Sequence, residues 1–500
     1  MRRIISAFGK PNWEKRAYAV LALCVSAPIA LHAQTFTTLY SFAGTDGAFP
    51  AAGLIQATTG DLYGTTLDGG TPGTSTLGTV FKVTPDGNLT TLYRFCSQTN
   101  CADGVGIDAG LVQGTNGYLY GTTSSGGANV SSIASTGAGT VFKISLSGTL
   151  TTLYSFCAQS GCTDGEFPEA GLIQATNGDF YGQTGSGGTA NLGTVFRITP
   201  TGKLTTLHSF CSNFQQGYCA DGSSPWGNLM QATNGYLYGT TYYGGTGGGG
   251  TVYKISPGGA LTTLYSFCSQ SGCADGRFPL AGLIQATNGY LYGTTSSGGT
   301  NGAGTVFKIS PGGTLTTLYS FCSQSNCADG GGPEAPLIQA TNGYLYGTTA
   351  DYGAYNSGTI FRITASGKLT TLYRFCSQVG CTDGGTPYMQ GLAQDTNGTL
   401  YGTTYNGGAN GPGTVYSLSV GLGPFVKTQT ISGKVGAAVN TLGTTLAGAT
   451  SVTFNGTAAS FTVVSGSLIT TTVPAGATTG TVQVVTPSGT LSSNVPFRVP

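Results

Sequence analysis

The side chains of this 500-residue chain that could do chemistry recur at a fixed spacing. An Asp-Gly pair returns once per unit, at Asp46, Asp103, Asp164, Asp221, Asp275, Asp329 and Asp383. The simpler reading of each is an Asx-type turn, in which the carboxylate accepts from nearby backbone amides and the glycine supplies positive φ. Calcium is the alternative, because it favours carboxylate and carbonyl oxygens. The loops lack a run of alternating acids, so no cofactor and no metal ligand is assigned. Two such acids would make a glycosidase pair, but symmetric repetition argues against catalysis, which needs one distinguished site. No catalytic residue is assigned. Histidine offers little: His32 lies in the N-terminal segment, and His208 stands where other units have tyrosine. Neither Ser-His-Asp chemistry nor a histidine metal site is supported.

Twelve of the thirteen cysteines fall into six local pairs: Cys96 and Cys101, Cys157 and Cys162, Cys211 and Cys219, Cys268 and Cys273, Cys322 and Cys327, Cys376 and Cys381. An even count with one pair per unit reads as disulfides. Zinc would need two pairs brought together, and these lie about 54 residues apart. The residues that break the repetition are aromatic. Trp226 follows the longer third cysteine loop, which carries Phe214 and Tyr218, while Tyr242, Tyr243, Tyr352, Tyr355 and Tyr405 occupy Gly-rich loops. Exposed rings stack on sugars or anchor a protein partner, so these six are the binding candidates; packing between loops is the alternative. The basic residues Lys82, Lys143, Arg197, Lys254, Lys308 and Arg362 also recur, and read as solvated contacts on a strand.

The elements that position these residues repeat with them. The Thr-Thr-Leu motif has its leucine at Leu39, Leu92, Leu153, Leu207, Leu264, Leu318 and Leu372, at intervals of 53 to 61 residues. A period of this length means a solenoid, a propeller or an array. In the unit from Gly282 to Gly330, four strand-like runs are expected: Leu283 to Ala286, Tyr290 to Thr294, Thr305 to Ile309 and Leu315 to Phe321. Asn288-Gly289 predicts a type I′ hairpin with both central residues at positive φ. Four antiparallel strands per unit make one propeller blade. The segment Thr35 to Phe42 is a lone fourth strand, and the seventh unit ends on a third strand at Ser419, so the former completes the latter. Closure removes the open sheet edges that invite aggregation. The disulfide loops, Asp-Gly turns and Gly-rich loops are expected on one face and only tight turns on the other. Loops on a rigid scaffold carry binding.

The Gly-Leu-Ile-Gln-Ala, Tyr-Gly-Thr-Thr, Gly-Thr-Val-Phe-Lys and Leu-Tyr-Ser-Phe segments resemble the bacterial GloVer tandem repeat over roughly Thr35 to Val420. The resemblance implies an exported, propeller-like protein and brings no catalytic residues. Beyond Gly421-Leu422-Gly423-Pro424, residues 425–500 alternate as short strands and turns. They resemble the IPT/TIG immunoglobulin-like domain, which implies a spacer or adhesion module. The expected fold is all-β: a seven-bladed β-propeller over 34–420, closed by the N-terminal strand, a linker over 421–424, and a small Ig-like β-sandwich over 425–500.

Residues 1–33 read as a signal peptide. Arg2, Arg3, Lys10, Lys15 and Arg16 form a basic region, Ala17 to Ala30 is apolar, and cleavage falls after Ala33. Cys24 raises a lipoprotein alternative. Its removal takes Lys plus Arg from 19 to 14 and Asp plus Glu from 18 to 17, leaving about −3. No basic patch supports nucleic-acid binding, and no integral membrane span is expected after cleavage. The expectation is a secreted, periplasmic or cell-surface protein, non-enzymatic, binding a glycan or an envelope or surface protein. The alternatives are a polysaccharide-active hydrolase or lyase using loop-face acids, and a purely structural spacer.

Overall fold

The computed structural model describes residues 34–70, 77–131, 135–212, 219–389 and 391–500. The expected signal peptide, Cys24, His32, Phe214 and Tyr218 lie outside them. Each unit forms one four-stranded antiparallel sheet with strands in sequence order. The first sheet comprises Ile55–Gln56, Leu62–Thr66, Thr79–Val83 and Leu89–Arg94. In the fifth, the strands are Ile284–Gln285, Leu291–Thr295, Thr305–Ile309 and Leu315–Ser320. The seventh takes Ala393–Gln394, Leu400–Thr404 and Thr414–Ser419 from the end of the repeats and Thr35–Ser41 from the start of the described chain. Thr35 pairs with Ser419 and Ser41 with Thr414.

The repeated residues explain how one sheet holds the next. The glutamine of each Leu-Ile-Gln segment or its counterpart accepts a backbone N–H from the preceding sheet's hairpin, Thr58 to Gln113 and onward. The series ends with Thr396 donating to Gln56, seven bonds of 2.8 to 3.2 Å. The Phe just after each fourth strand meets the Phe or Tyr of the following sheet's third strand edge to face. These seven pairs, from Phe95–Phe142 round to Phe42–Phe81, have ring centroids 5.1 to 5.3 Å apart. Edge-to-face geometry is the favoured one for buried rings. Each hydrophobic cluster spans two neighbouring sheets, and one joins Tyr401 and Val415 of the seventh to Leu54, Leu62 and Phe81 of the first.

The inner hairpin differs from the expected type I′ turn. In Ala286-Thr287-Asn288-Gly289 the Gly289 N–H donates to Ala286 at 2.9 Å, and only Gly289 of these has positive φ, at 83°. The turn starts one residue earlier, which leaves Asn288 outside the left-handed region and its side chain free for other bonds. Its Oδ1 accepts from the Tyr290 N–H and its Nδ2 donates to the Tyr292 hydroxyl.

Residues beyond 424 form two further four-stranded antiparallel sheets around one core of Val426, Val439, Leu446, Phe454, Ile469 and Phe497. They sit on the hairpin side of the repeats. Ser467 donates to the Thr58 carbonyl, Gln429 to those of Gln113 and Gly114, and Arg498 to that of Thr233. The hairpin side, expected to carry only tight turns, is thus partly covered by the chain's own C-terminal part. Among the described residues no helix is long and apolar enough to cross a membrane.

Candidate functional site

The first strand of every sheet is preceded by a short segment such as Phe167-Pro168-Glu169-Ala170-Gly171. The Ala-Gly half is repeated for a packing reason. Thr65, Thr122, Thr240, Thr294 and Thr403 each donate a buried hydroxyl to the Ala carbonyl of this segment in the adjoining sheet. The segments of all seven units line a common cavity of about 200 Å³. Leu54, Ile55, Leu111, Leu172 and Leu392 supply apolar wall; Asp108, Glu169, Trp226, Glu334 and Met389 supply the chemistry. Leu54, Ile55 and Leu392 also border a second cavity of about 350 Å³ whose other wall is Phe425, Lys427 and Ile431 of the C-terminal part.

The position just after the segment's proline, or after its Ile107 counterpart, varies in chemistry from unit to unit. Reading round the units it holds Ala51, Asp108, Glu169, Trp226, Leu280, Glu334 and Tyr388. Sequence reasoning found Trp226 and missed the other polar members. The signal was present as a position of mixed residue types next to a proline found in six of the seven units.

The acids are desolvated and feel one another. Burial raises Glu169 to about 7, with Asp108 adding repulsion. Glu334 is likewise raised to about 7 by burial, with Asp351 adding to it. Asp108 is raised by burial and by Asp68, against a hydrogen bond from Ser124. Tyr388 is pushed up to about 12 by burial and then by Glu334, Asp108 and Glu169, so all three acids act on one hydroxyl. The Oε2 atom of Glu334 is buried and has no hydrogen-bond partner within the protein. No Lys, Arg or His lines the cavity among the described residues.

The aromatic candidates separate into two groups. Trp226 lies 4.5 Å from Tyr242 and 6.3 Å from Tyr243, and Tyr242 stacks on Phe278 at 4.9 Å. The indole reaches the neighbouring sheet because Gly185 stands there. A Cβ at Gly185 would lie 2.7 Å from the indole nitrogen and 3.3 Å from Glu169 Oε2, so the indole edge and that carboxylate lie side by side. Tyr405 belongs to the second group, stacked on Phe49 at 5.0 Å and edge-on to Tyr388 at 5.8 Å. Tyr352 and Tyr355 are exposed at 43% and 53%, in neither group.

The Asp-Gly aspartates lie elsewhere, six of them two residues beyond a disulfide loop and Asp46 in the cysteine-free first unit. Asp103 accepts from the Ser97 and Gln98 backbone N–H groups and the Tyr93 hydroxyl. Asp164, Asp275, Asp329 and Asp383 repeat this pattern. Asp46 accepts from the Ala43 N–H and the Tyr40 hydroxyl. Asp221 takes Cys211 N–H and His208 Nε2, so the histidine stands in for the tyrosine of other units. All six cysteine pairs are disulfide-bonded, Cys96–Cys101, Cys157–Cys162, Cys211–Cys219, Cys268–Cys273, Cys322–Cys327 and Cys376–Cys381. Such bonds suit an oxidising, extracellular environment. The recurring bases have partners: Lys82 faces Asp61 and Arg197 faces Asp179, while Lys143, Lys254, Lys308 and Arg362 lie over Tyr118, Tyr236, Tyr290 and Tyr344.

The family model described as the Gloeobacter/Verrucomicrobia repeat matches residues 28–161, 99–285 and 270–469. The chain belongs to this repeat family. No curated protein sequence matches it. Among solved structures, a fungal alcohol oxidase of the AA5 family in complex with copper is 13% identical, with TM-score 0.50 over 93% of this chain and 98% of that one. A virginiamycin B lyase from Staphylococcus aureus is 12% identical, with TM-score 0.47 over 77% and 99%. The GH74 enzyme of Niastella koreensis is 14% identical, with TM-score 0.45 over 92% and 66%. Likeness at this level concerns fold alone, and the functions named are mixed. In this chain the constant positions of the Gloeobacter/Verrucomicrobia repeat serve packing, and the cavity position changes chemistry from unit to unit.

Proposed function

We propose that this Gloeobacter/Verrucomicrobia repeat chain is an exported, seven-bladed β-propeller with a C-terminal IPT/TIG-like β-sandwich over 425–500, and that it binds a glycan through its axial pocket. The carrying observation is one cavity lined by the same segment from all seven units, where Asp108, Glu169, Trp226 and Glu334 bear polar or aromatic groups. Aromatic faces and a few placed polar groups in a concave site are the usual means of holding a small ligand. The cycle of inter-sheet contacts supports seven blades. The six disulfides support export, with residues 1–33 as its signal. Tyr352 and Tyr355, exposed as single rings, and Tyr243, exposed at the rim of the Trp226 group, offer stacking surfaces along a longer chain.

The test is a glycan array probed with the mature chain, followed by titration of each hit against Trp226→Ala. Retention of a sugar by the parent and its loss in the variant are expected. An empty array would leave a protein partner or a structural spacer. A second reading has its own support: two carboxyls raised to about 7 suit a general acid of a polysaccharide hydrolase. It predicts release of reducing ends from a bound polysaccharide, abolished in Glu169→Gln or Glu334→Gln.

A further inference from the structure

The axial pocket combines features that a neutral sugar does not require. Its lining carries Asp108, Glu169 and Glu334 and no cationic side chain. Elsewhere in the chain, the Asp-Gly carboxylates are surrounded by N–H and O–H donors. The pocket acids have fewer: Asp108 takes a hydrogen bond from Ser124, and Glu334 Oε2 is buried with no donor from the protein. A buried acceptor left without a donor is costly, and native structures usually supply the partner, from water or a ligand where the protein has none.

Two further observations narrow the missing donor. Among the described residues no three His, Cys, Asp or Glu side chains gather closely enough to share a metal ion. Acids spread round a ring suit a cation that brings its own donors, several N–H groups aimed apart, better than they suit a point charge needing six or more oxygens. The Glu169 carboxylate also lies beside the indole edge of Trp226 over Gly185. An apolar face beside an anion accommodates a ring that carries a protonated amine, through stacking, cation–π attraction and a charge-assisted hydrogen bond. A cavity of about 200 Å³ holds one such ring.

Building on the glycan-binding reading, we infer that the axial pocket selects a sugar bearing a free amino group, held by Glu334 and Glu169 at its ammonium and by Trp226 on its ring. The natural ligand class is then a polysaccharide containing de-N-acetylated amino sugars. An ammonium among these acids also favours their ionised forms, which burial otherwise opposes.

Calorimetric titration of the mature, disulfide-bonded chain at pH 7 tests this with four probes: a glucosamine tetramer, its N-acetylated counterpart, cellotetraose and tetralysine. The glucosamine tetramer is expected to bind at least about tenfold more tightly than the other three, the worth of one charge-assisted hydrogen bond. Glu334→Gln and Glu169→Gln are each expected to remove about that factor for the glucosamine tetramer while leaving a weak, shared affinity for the neutral ones. Glutamine is isosteric, so near-ultraviolet circular dichroism should be unchanged. Equal binding of the acetylated or neutral tetramer, indifferent to both variants, would overturn the amine inference and leave the glycan reading standing. Failure of every oligosaccharide would overturn both. Preferred binding of tetralysine would keep a cation site and overturn its assignment to a sugar.

Discussion

At the residue scale, two departures from the repeat carry measurable consequences. In six units the position before the last Thr of Tyr-Gly-Thr-Thr is threonine; in the third it is Gln183. Gln183 donates to the Gly227 carbonyl and accepts from the Tyr253 hydroxyl, both fully buried side chains in the adjoining sheets. Tyr253 in turn replaces the phenylalanine found there in the first, second, third, fifth and sixth sheets. Tyr253→Phe orphans the amide oxygen and should cost about 1–3 kcal/mol. Gln183→Thr orphans the tyrosine hydroxyl and should cost a similar amount, whereas the double variant restores the common pair and should lie near the parent. Additive losses in a denaturant double-mutant cycle would show that the two side chains do not act together. The pocket acids predict a pH dependence. Burial, and then Asp351, push Glu334 up from its ordinary 4.5 to about 7 in the folded chain, where it faces Asp351, Tyr242 and Tyr388. The folded state therefore holds the extra proton between those values, and stability falls as pH rises from about 4.5 to about 7. At about 1.4 kcal/mol per unit the full penalty above that window is on the order of 3 kcal/mol. Glu334→Gln should match the parent's thermal midpoint at pH 4.5 and exceed it at pH 8. Parallel curves would place the carboxyl in a solvated site.

At the element scale, the disulfide loop is held by its aspartate as much as by its bond. A loop closed by residues five apart contributes ~2 kcal/mol in the chain-entropy model. Asp329, fully buried, holds the Ser323 and Gln324 N–H groups and the Tyr319 hydroxyl in the same loop. Asp329→Ala should thus cost about 3 kcal/mol or more, exceeding the joint replacement of Cys322 and Cys327 by serine. Denaturant unfolding of the two variants checks the order, and the reverse order would make the bond the main support. This loop was legible in the sequence because each of its parts recurs. The same holds for the third strand of the fifth sheet, read as Thr305–Ile309 and found there. The hairpin register slipped because Asn-Gly ends two different turns, and only the bonds of Asn288 distinguish them. The pocket ring was hidden for the opposite reason. Comparing units rewards positions that agree, and Asp108, Glu169, Trp226, Glu334 and Tyr388 share a place without sharing a type. Docking of the C-terminal part was not readable either, since Gln429, Ser467 and Arg498 meet backbone carbonyls, which leave no trace in side-chain pattern.

At the scale of the whole molecule, the question is whether the first strand closes a ring or decorates the end of an array. In an open array each unit contacts only its neighbours, and terminal units fray before central ones. A residue near the chain's start would then contribute little to global unfolding. In a closed ring no unit is terminal, and every inter-sheet contact must break together. Phe42 and Phe321 separate the two cases. Both are fully buried, and each meets a phenylalanine of the following sheet edge to face, Phe81 at 5.3 Å and Phe361 at 5.2 Å. They occupy the same place in their units, one beside the start of the described chain and the other in its middle. Truncation of a buried phenylalanine costs ~3–5 kcal/mol where the site cannot collapse. Closure therefore predicts that Phe42→Ala and Phe321→Ala lower stability by the same amount, each with a single unfolding transition of the repeats. An open array predicts a cost below about 1 kcal/mol for Phe42→Ala. Deleting Thr35 to Phe42 carries the argument further, because it strips the pairing partner from Thr414–Ser419 and bares that edge. Bare edges pair with other chains, so the deleted protein should unfold in steps and self-associate on size-exclusion chromatography, while the two point variants stay in the parent's oligomeric state.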